Sequence, residues 1–128
     1  MKFISVDEFL MGRAKLDELT PEQVANMNTI IPRANDLLQA FGEYRKVNSG
    51  YRSPADQQRI NPSAPKSKHL LCAAIDLNDP DGKLAAFVMA NLPLVSKIGL
   101  WIENPQKTRG WVHIQCLPPK SGSRVFNP

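Results

Sequence analysis

Two histidines and one aspartate are the residues in this chain whose types and spacing could act together. His69 lies in Ser67-Lys68-His69-Leu70-Leu71-Cys72-Ala73-Ala74-Ile75-Asp76, and His113 in Trp111-Val112-His113; the chain has no other histidine. Neutral imidazole and carboxylate are both good zinc ligands. His69, Asp76 and His113 can thus supply three ligands to one zinc ion per chain. Three protein ligands leave a fourth position open for water, which separates a catalytic zinc site from a closed structural one. The chemistry predicted is that of a small zinc hydrolase.

Those residues need elements to hold them. Ala73 to Leu77 reads as a strand, in which Ala74 and Asp76 share one face and Ile75 takes the other. His113 lies between Val112 and Ile114 in a second strand, Gly110 to Cys116, and so points away from their apolar face. Ile98 to Glu103 reads as its hairpin partner. Asp79-Pro80-Asp81-Gly82 is a turn that leads into a helix over Lys83 to Asn91. Upstream, Asp7 to Met11 reads as a short helical turn. Thr20-Pro21-Glu22-Gln23 opens a helix with a capping box. Apolar residues from Val24 to Phe41 then recur with helical period. Pro32 is expected to kink or divide this helix near Asn28 to Ile31, and Gly42 to end it. Arg45 to Ser49 reads as a strand. Gly50 to Ser67 reads as a long loop with one helical turn from Pro54 to Arg59, and the tail from Leu117 as surface wrapping. Helices set apart from a few antiparallel strands give an α+β domain.

The bulk properties fit one domain over residues 1–128. An apolar fraction of 42% and a charged fraction of 22% are ordinary for a globular chain. A net charge of +4 and a pI near 9.3 favour polyanionic partners. Basic and aromatic residues do not interleave as stacking platforms require, so no dedicated nucleic-acid site is expected. No apolar run suffices for a membrane span. The first residues lack a secretory signal, so the protein is expected to be cytoplasmic until released, or virion-associated. Cys72 and Cys116 are too few for a disulfide framework; small buried hydrophobes are the expected role.

The pattern Ser67-Lys68-His69 followed by Ala73-Ala74-Ile75-Asp76 resembles the S-x-H-x-x-G-x-A-x-D signature of the LAS metallopeptidases. Asn48-Ser49-Gly50-Tyr51-Arg52-Ser53 is similar to their S-G-Y-R-S segment, and Trp111-Val112-His113 to their final W-x-H. These are zinc D-Ala-D-Ala carboxypeptidases and phage L-Ala-D-Glu endopeptidases that share a fold with the Hedgehog signalling domain. The resemblance implies a small antiparallel sheet with helices packed on one side, a zinc ion on His69, Asp76 and His113, and cleavage of peptidoglycan stem peptides; the compact architecture suits a phage or prophage enzyme, and a monomer is expected. It also implies that Arg52 faces the substrate, and that Ser67 bonds the substrate or steadies the site. The alternative is an inactive zinc-containing binding module on the same fold.

Two positions depart from the family pattern. Cys72 stands where the family has glycine, a strained place for cysteine if φ is positive there. Gly110 stands where many relatives carry an acid, three residues before the last histidine. Glu103 is the expected replacement as catalytic acid/base. A hairpin turning about Gln106 pairs Glu103 with Arg109, Trp101 with Trp111 and Gly99 with His113, which puts Glu103 on the face of His113. Trp101 and Trp111 are then expected to pair across the strands beside the cleft.

Overall fold

The computed structural model describes all residues from Met1 to Pro128. Alternation of side chains in the two histidine- and aspartate-bearing segments builds the centre of the molecule. Strand β2 (Ala74–Asn78) pairs antiparallel with β4 (Trp111–Gln115), with Ile75 opposite Ile114, Asp76 opposite His113 and Leu77 opposite Val112. Ile75, Leu77, Val112 and Ile114 turn to one face and are buried in the core. Asp76, His113 and Gln115 turn to the other. Strand β1 (Val47–Ser49) joins the β2 edge; β3 (Trp101–Glu103) and β5 (Val125–Phe126) complete the order β1-β2-β4-β3-β5.

The α+β class is as expected, but the sheet is mixed. β5 runs parallel to β3, with Ile102 opposite Val125 and Glu103 opposite Phe126. The tail therefore does more than wrap the surface. Ile102 N–H donates to Arg124 O at 2.9 Å, Asn104 N–H donates to the Phe126 carbonyl at 2.7 Å, and the Arg124 guanidinium lies 4.4 Å from the Trp101 ring centroid.

Helix α1 (Val6–Leu10) precedes the long α2 (Pro21–Phe41), which covers the apolar face. Met27, Ile30, Ala34, Leu37 and Leu38 form its buried stripe. α2 runs undivided through Pro32. Proline inside a helix costs about 3 kcal/mol, and burying several large apolar side chains at about 1.5–3 kcal/mol each outweighs that. The expected capping box is present, with Thr20 Oγ1 accepting from Gln23 N–H at 3.1 Å. Gln23 and Asn26 then donate their amides to Leu70 O (2.9 Å) and Leu71 O (3.0 Å). In this way α2 anchors the tight 3-10 turn Lys68–Leu71 that carries His69.

α3 (Pro54–Ile60) occupies the expected helical turn inside the long loop, capped by Ser53. α4 (Lys83–Ala90) follows the Asp79 turn, and Asp79 accepts from Leu84 and Ala85 N–H at 2.9 Å each. A helix absent from the sequence reading, α5 (Leu92–Ile98), takes most of the residues before Trp101. Pro93 sits in its first turn, where its missing N–H costs nothing. The strand expected from Ile98 is thus confined to Trp101–Glu103. No helix is long and apolar enough to cross a membrane.

Candidate metal centre

His69, Asp76 and His113 come together as the sequence predicts. All three are buried, and one ligand atom from each lies within 4.8 Å of the others. Asp76 Oδ2 is 3.3 Å from His69 Nε2, and Asp76 Oδ1 is 2.8 Å from His113 Nδ1. They form the floor of a cleft of about 590 Å³ that Arg52, Ser67, Glu103 and Trp111 also line.

The backbone at Gly50 orients His69. Its carbonyl lies 2.7 Å from His69 Nδ1. A carbonyl has no proton to give, so Nδ1 carries one and donates it. Gly50 is held where it is by close approach to α1: a Cβ there would stand 2.2 Å from Phe9 O, a distance no side chain tolerates. Burial lowers the His69 pKa, against the pull of Asp76, and favours the neutral ring. A neutral ring with its proton on Nδ1 presents a bare lone pair at Nε2. That lone pair faces a carboxylate oxygen at 3.3 Å. Two acceptors in a buried site repel unless a cation lies between them, and a divalent metal with His and carboxylate ligands meets that need.

Burial pushes the Asp76 carboxyl up, but His69 and His113 more than offset it and hold the group well below the usual carboxylate range. Burial disfavours charge on His113, yet the hydrogen bond and charge of Asp76, helped by Gln115, raise its pKa. The raised pKa favours the protonated ring, and a metal ion that binds His113 must displace a proton from it. Because the pKa is raised, apparent zinc affinity is expected to climb with pH and to keep climbing beyond the ordinary imidazole value of about 6.5. Calorimetry in buffers of different ionisation enthalpy reads the proton release directly. Affinity that is flat between about pH 6 and 8, with no proton released, contradicts this.

Arg52 is a buried residue rather than the partner of a surface ion pair. Its Nε donates to Ser49 Oγ (2.9 Å), one terminal nitrogen to Gln57 Oε1 (3.0 Å) and the other to Asp76 Oδ2 (3.1 Å). Three of the five guanidinium N–H donors are used, and two remain. Burial lowers its pKa, with Asp76 opposing. Gln57 in turn donates to Asn61 O and Ala64 O, which ties the Pro-rich loop to Arg52. Ser67 caps the turn: its Oγ accepts from His69 N–H at 3.2 Å. Of the two roles expected for it, the contact observed is the one that steadies the site.

Glu103 reaches the cleft by a different register from the one expected. Trp101 pairs with Gln115 and Ile102 with Ile114, so the next step of the ladder brings Glu103 opposite His113. The expected Glu103–Arg109 and Trp101–Trp111 pairs do not form. The loop after β3 spends its residues on a 3-10 turn, Pro105–Lys107, and on Gly110 at φ +93°. The displacement is by an even number of residues, so Glu103 keeps the face of His113. Burial raises its pKa, against the attraction of His113. Trp111 instead pairs with Asn78 on the cleft side.

Cys72 adopts φ +58°, ψ 28°, the left-handed conformation that glycine takes most readily. Cys72 and Cys116 are both buried and unpaired, as small hydrophobes. Gln57, Gln115 and the Gly50 carbonyl were not among the expected site groups. The only sequence signal was that Gln115 lies two residues beyond His113 and so on its face.

Searches of protein-family models, of curated proteins and of solved structures found no match to this chain.

Proposed function

We propose that this chain is a zinc-dependent peptidase on a Hedgehog/DD-peptidase-like fold, cleaving stem peptides of peptidoglycan as a carboxypeptidase or endopeptidase. The observation that carries the reading is the buried trio in which the His69 lone pair faces the Asp76 carboxylate. The three ordered motifs support it, as does the left-handed Cys72 at the position the motif reserves for glycine.

Bound zinc supplies Lewis acidity to a scissile carbonyl and makes a water molecule more acidic. Glu103, its pKa raised toward the working range of a general base, takes the proton of the attacking water and returns it to the leaving amine. Arg52 offers its two free N–H donors to a substrate carboxylate. Lys66, Lys68 and Lys120 also line the cleft and form no ion pair. Their positive lip favours acidic peptides such as those of the wall. A phage or prophage wall-degrading enzyme is the setting that goes with this chemistry.

The second reading is an inactive zinc-containing binding module, favoured by Gly110 where many relatives of the resembled family have an acid. Purified peptidoglycan separates the two. The peptidase releases new amine groups from it when loaded with zinc, and His113→Ala releases none. Zinc binding without turnover on any wall peptide sinks the peptidase and leaves the module.

A further inference from the structure

We propose that Gln115 decides which nitrogen of His113 takes the metal, holding a proton on Nε2 so that Nδ1 is the ligating atom. The inference rests on the metal reading above and deepens it.

Gln115 is buried at 3% exposure on the cleft face of β4, two residues from His113, between Ala74 of β2 and Trp101 of β3. Its Oε1 lies 2.8 Å from His113 Nε2. The amide has one workable orientation. Its Nε2 donates to Leu117 O at 2.8 Å, and a flipped amide would set two oxygens against each other there. Oε1 therefore faces His113, and an amide oxygen can only accept. The His113 Nε2 must carry the proton. The lone pair of a neutral His113 then falls on Nδ1, which stands 2.8 Å from Asp76 Oδ1. His69 is set the opposite way: the Gly50 carbonyl holds its Nδ1 proton and frees Nε2. The two rings thus turn different nitrogens toward the same carboxylate, each fixed by an acceptor behind it. Partners behind a metal-ligating histidine fix its tautomer and raise its basicity, and their loss typically weakens metal binding by about 10–100-fold.

Gln115 is a positioning residue, so its test reads metal binding and ring chemistry. Nitrogen NMR of zinc-loaded wild type should show His113 metallated at Nδ1 and protonated at Nε2. Chelator competition should show zinc about 10–100-fold weaker in Gln115→Leu. A residue that only filled space would leave the zinc on Nδ1 of His113 in Gln115→Leu, whereas loss of the acceptor behind Nε2 should let the metal share or move to that nitrogen. Zinc on Nε2 of His113 in wild type, or equal affinity in Gln115→Leu, overturns the proposal while leaving the metal site standing. A wild type that binds no zinc overturns both. Should Gln115→Leu fail to fold, the wild-type ring assignment still decides.

Discussion

Asp76→Asn is expected to be the most damaging isosteric change in the molecule, abolishing zinc binding and destabilising the fold together. Oδ2 of Asp76 meets Arg52 at 3.1 Å and His69 at 3.3 Å, and Oδ1 meets His113 at 2.8 Å. An asparagine has one acceptor oxygen where the carboxylate has two. Its NH2 group must face either Arg52 and His69, in place of Oδ2, or His113, in place of Oδ1. Arg52 at 7% exposure and His113 at 8% then lose their counter-ion in a buried setting. Removing one partner of a buried ion pair costs about 3–5 kcal/mol, a large share of the roughly 5–15 kcal/mol that holds a domain folded. Thermal melting should fall by roughly 10–20 °C. A melting point within a few degrees of wild type would mean that Asp76 is not the charge around which the site is built.

Glu103→Gln is expected to behave in the opposite manner, with the fold and zinc content intact and turnover reduced by about 10²–10⁴. Glu103 forms no ion pair and is not among the three clustered ligands, so glutamine can occupy its place on β3. What glutamine cannot do is accept a proton. Because burial raises the Glu103 pKa, the acidic limb of the wild-type rate profile should lie above the ordinary glutamate range. The sign follows from the base form being required: activity rises with pH through that pKa, and this limb disappears in the variant. Unchanged turnover in Glu103→Gln assigns the base elsewhere. Absence of turnover in both proteins, with zinc bound, favours the binding module.

The clustering of His69, Asp76 and His113 was legible because histidine is so scarce here and because a two-residue period decides the face of each strand. Asp76 and His113 needed only to lie in paired strands with apolar neighbours turned inward. Arg52 was legible through its motif, but its burial was not, because that depends on Gln57 and Ser49 reaching it from elements nearby. The β3–β4 register was hidden by the loop, whose 3-10 turn and left-handed Gly110 take up residues that a tight hairpin leaves in the strands. Parity rescued the placement of Glu103: an even displacement preserves the face, and an odd one would have sent it into the core. α5 was missed because Asn91-Leu92-Pro93 reads as a break, whereas proline in a first turn can equally open a helix. β5 was missed because a segment with Pro118, Pro119 and Gly122 carries no strand pattern. It is held by backbone bonds to β3 and by Arg124 over Trp101, which are tertiary contacts. The carbonyl of Gly50 and the amide of Gln115 act through geometry that residue types alone do not signal.

Metal analysis of protein purified without added metal, on wild type and His113→Ala side by side, decides whether the buried trio holds zinc. One zinc per chain is expected in the wild type and none in the variant. A folded wild type that holds no metal, even after incubation with zinc, contradicts this, and would leave the His69–Asp76–His113 group as a buried hydrogen-bonded cluster without metal chemistry.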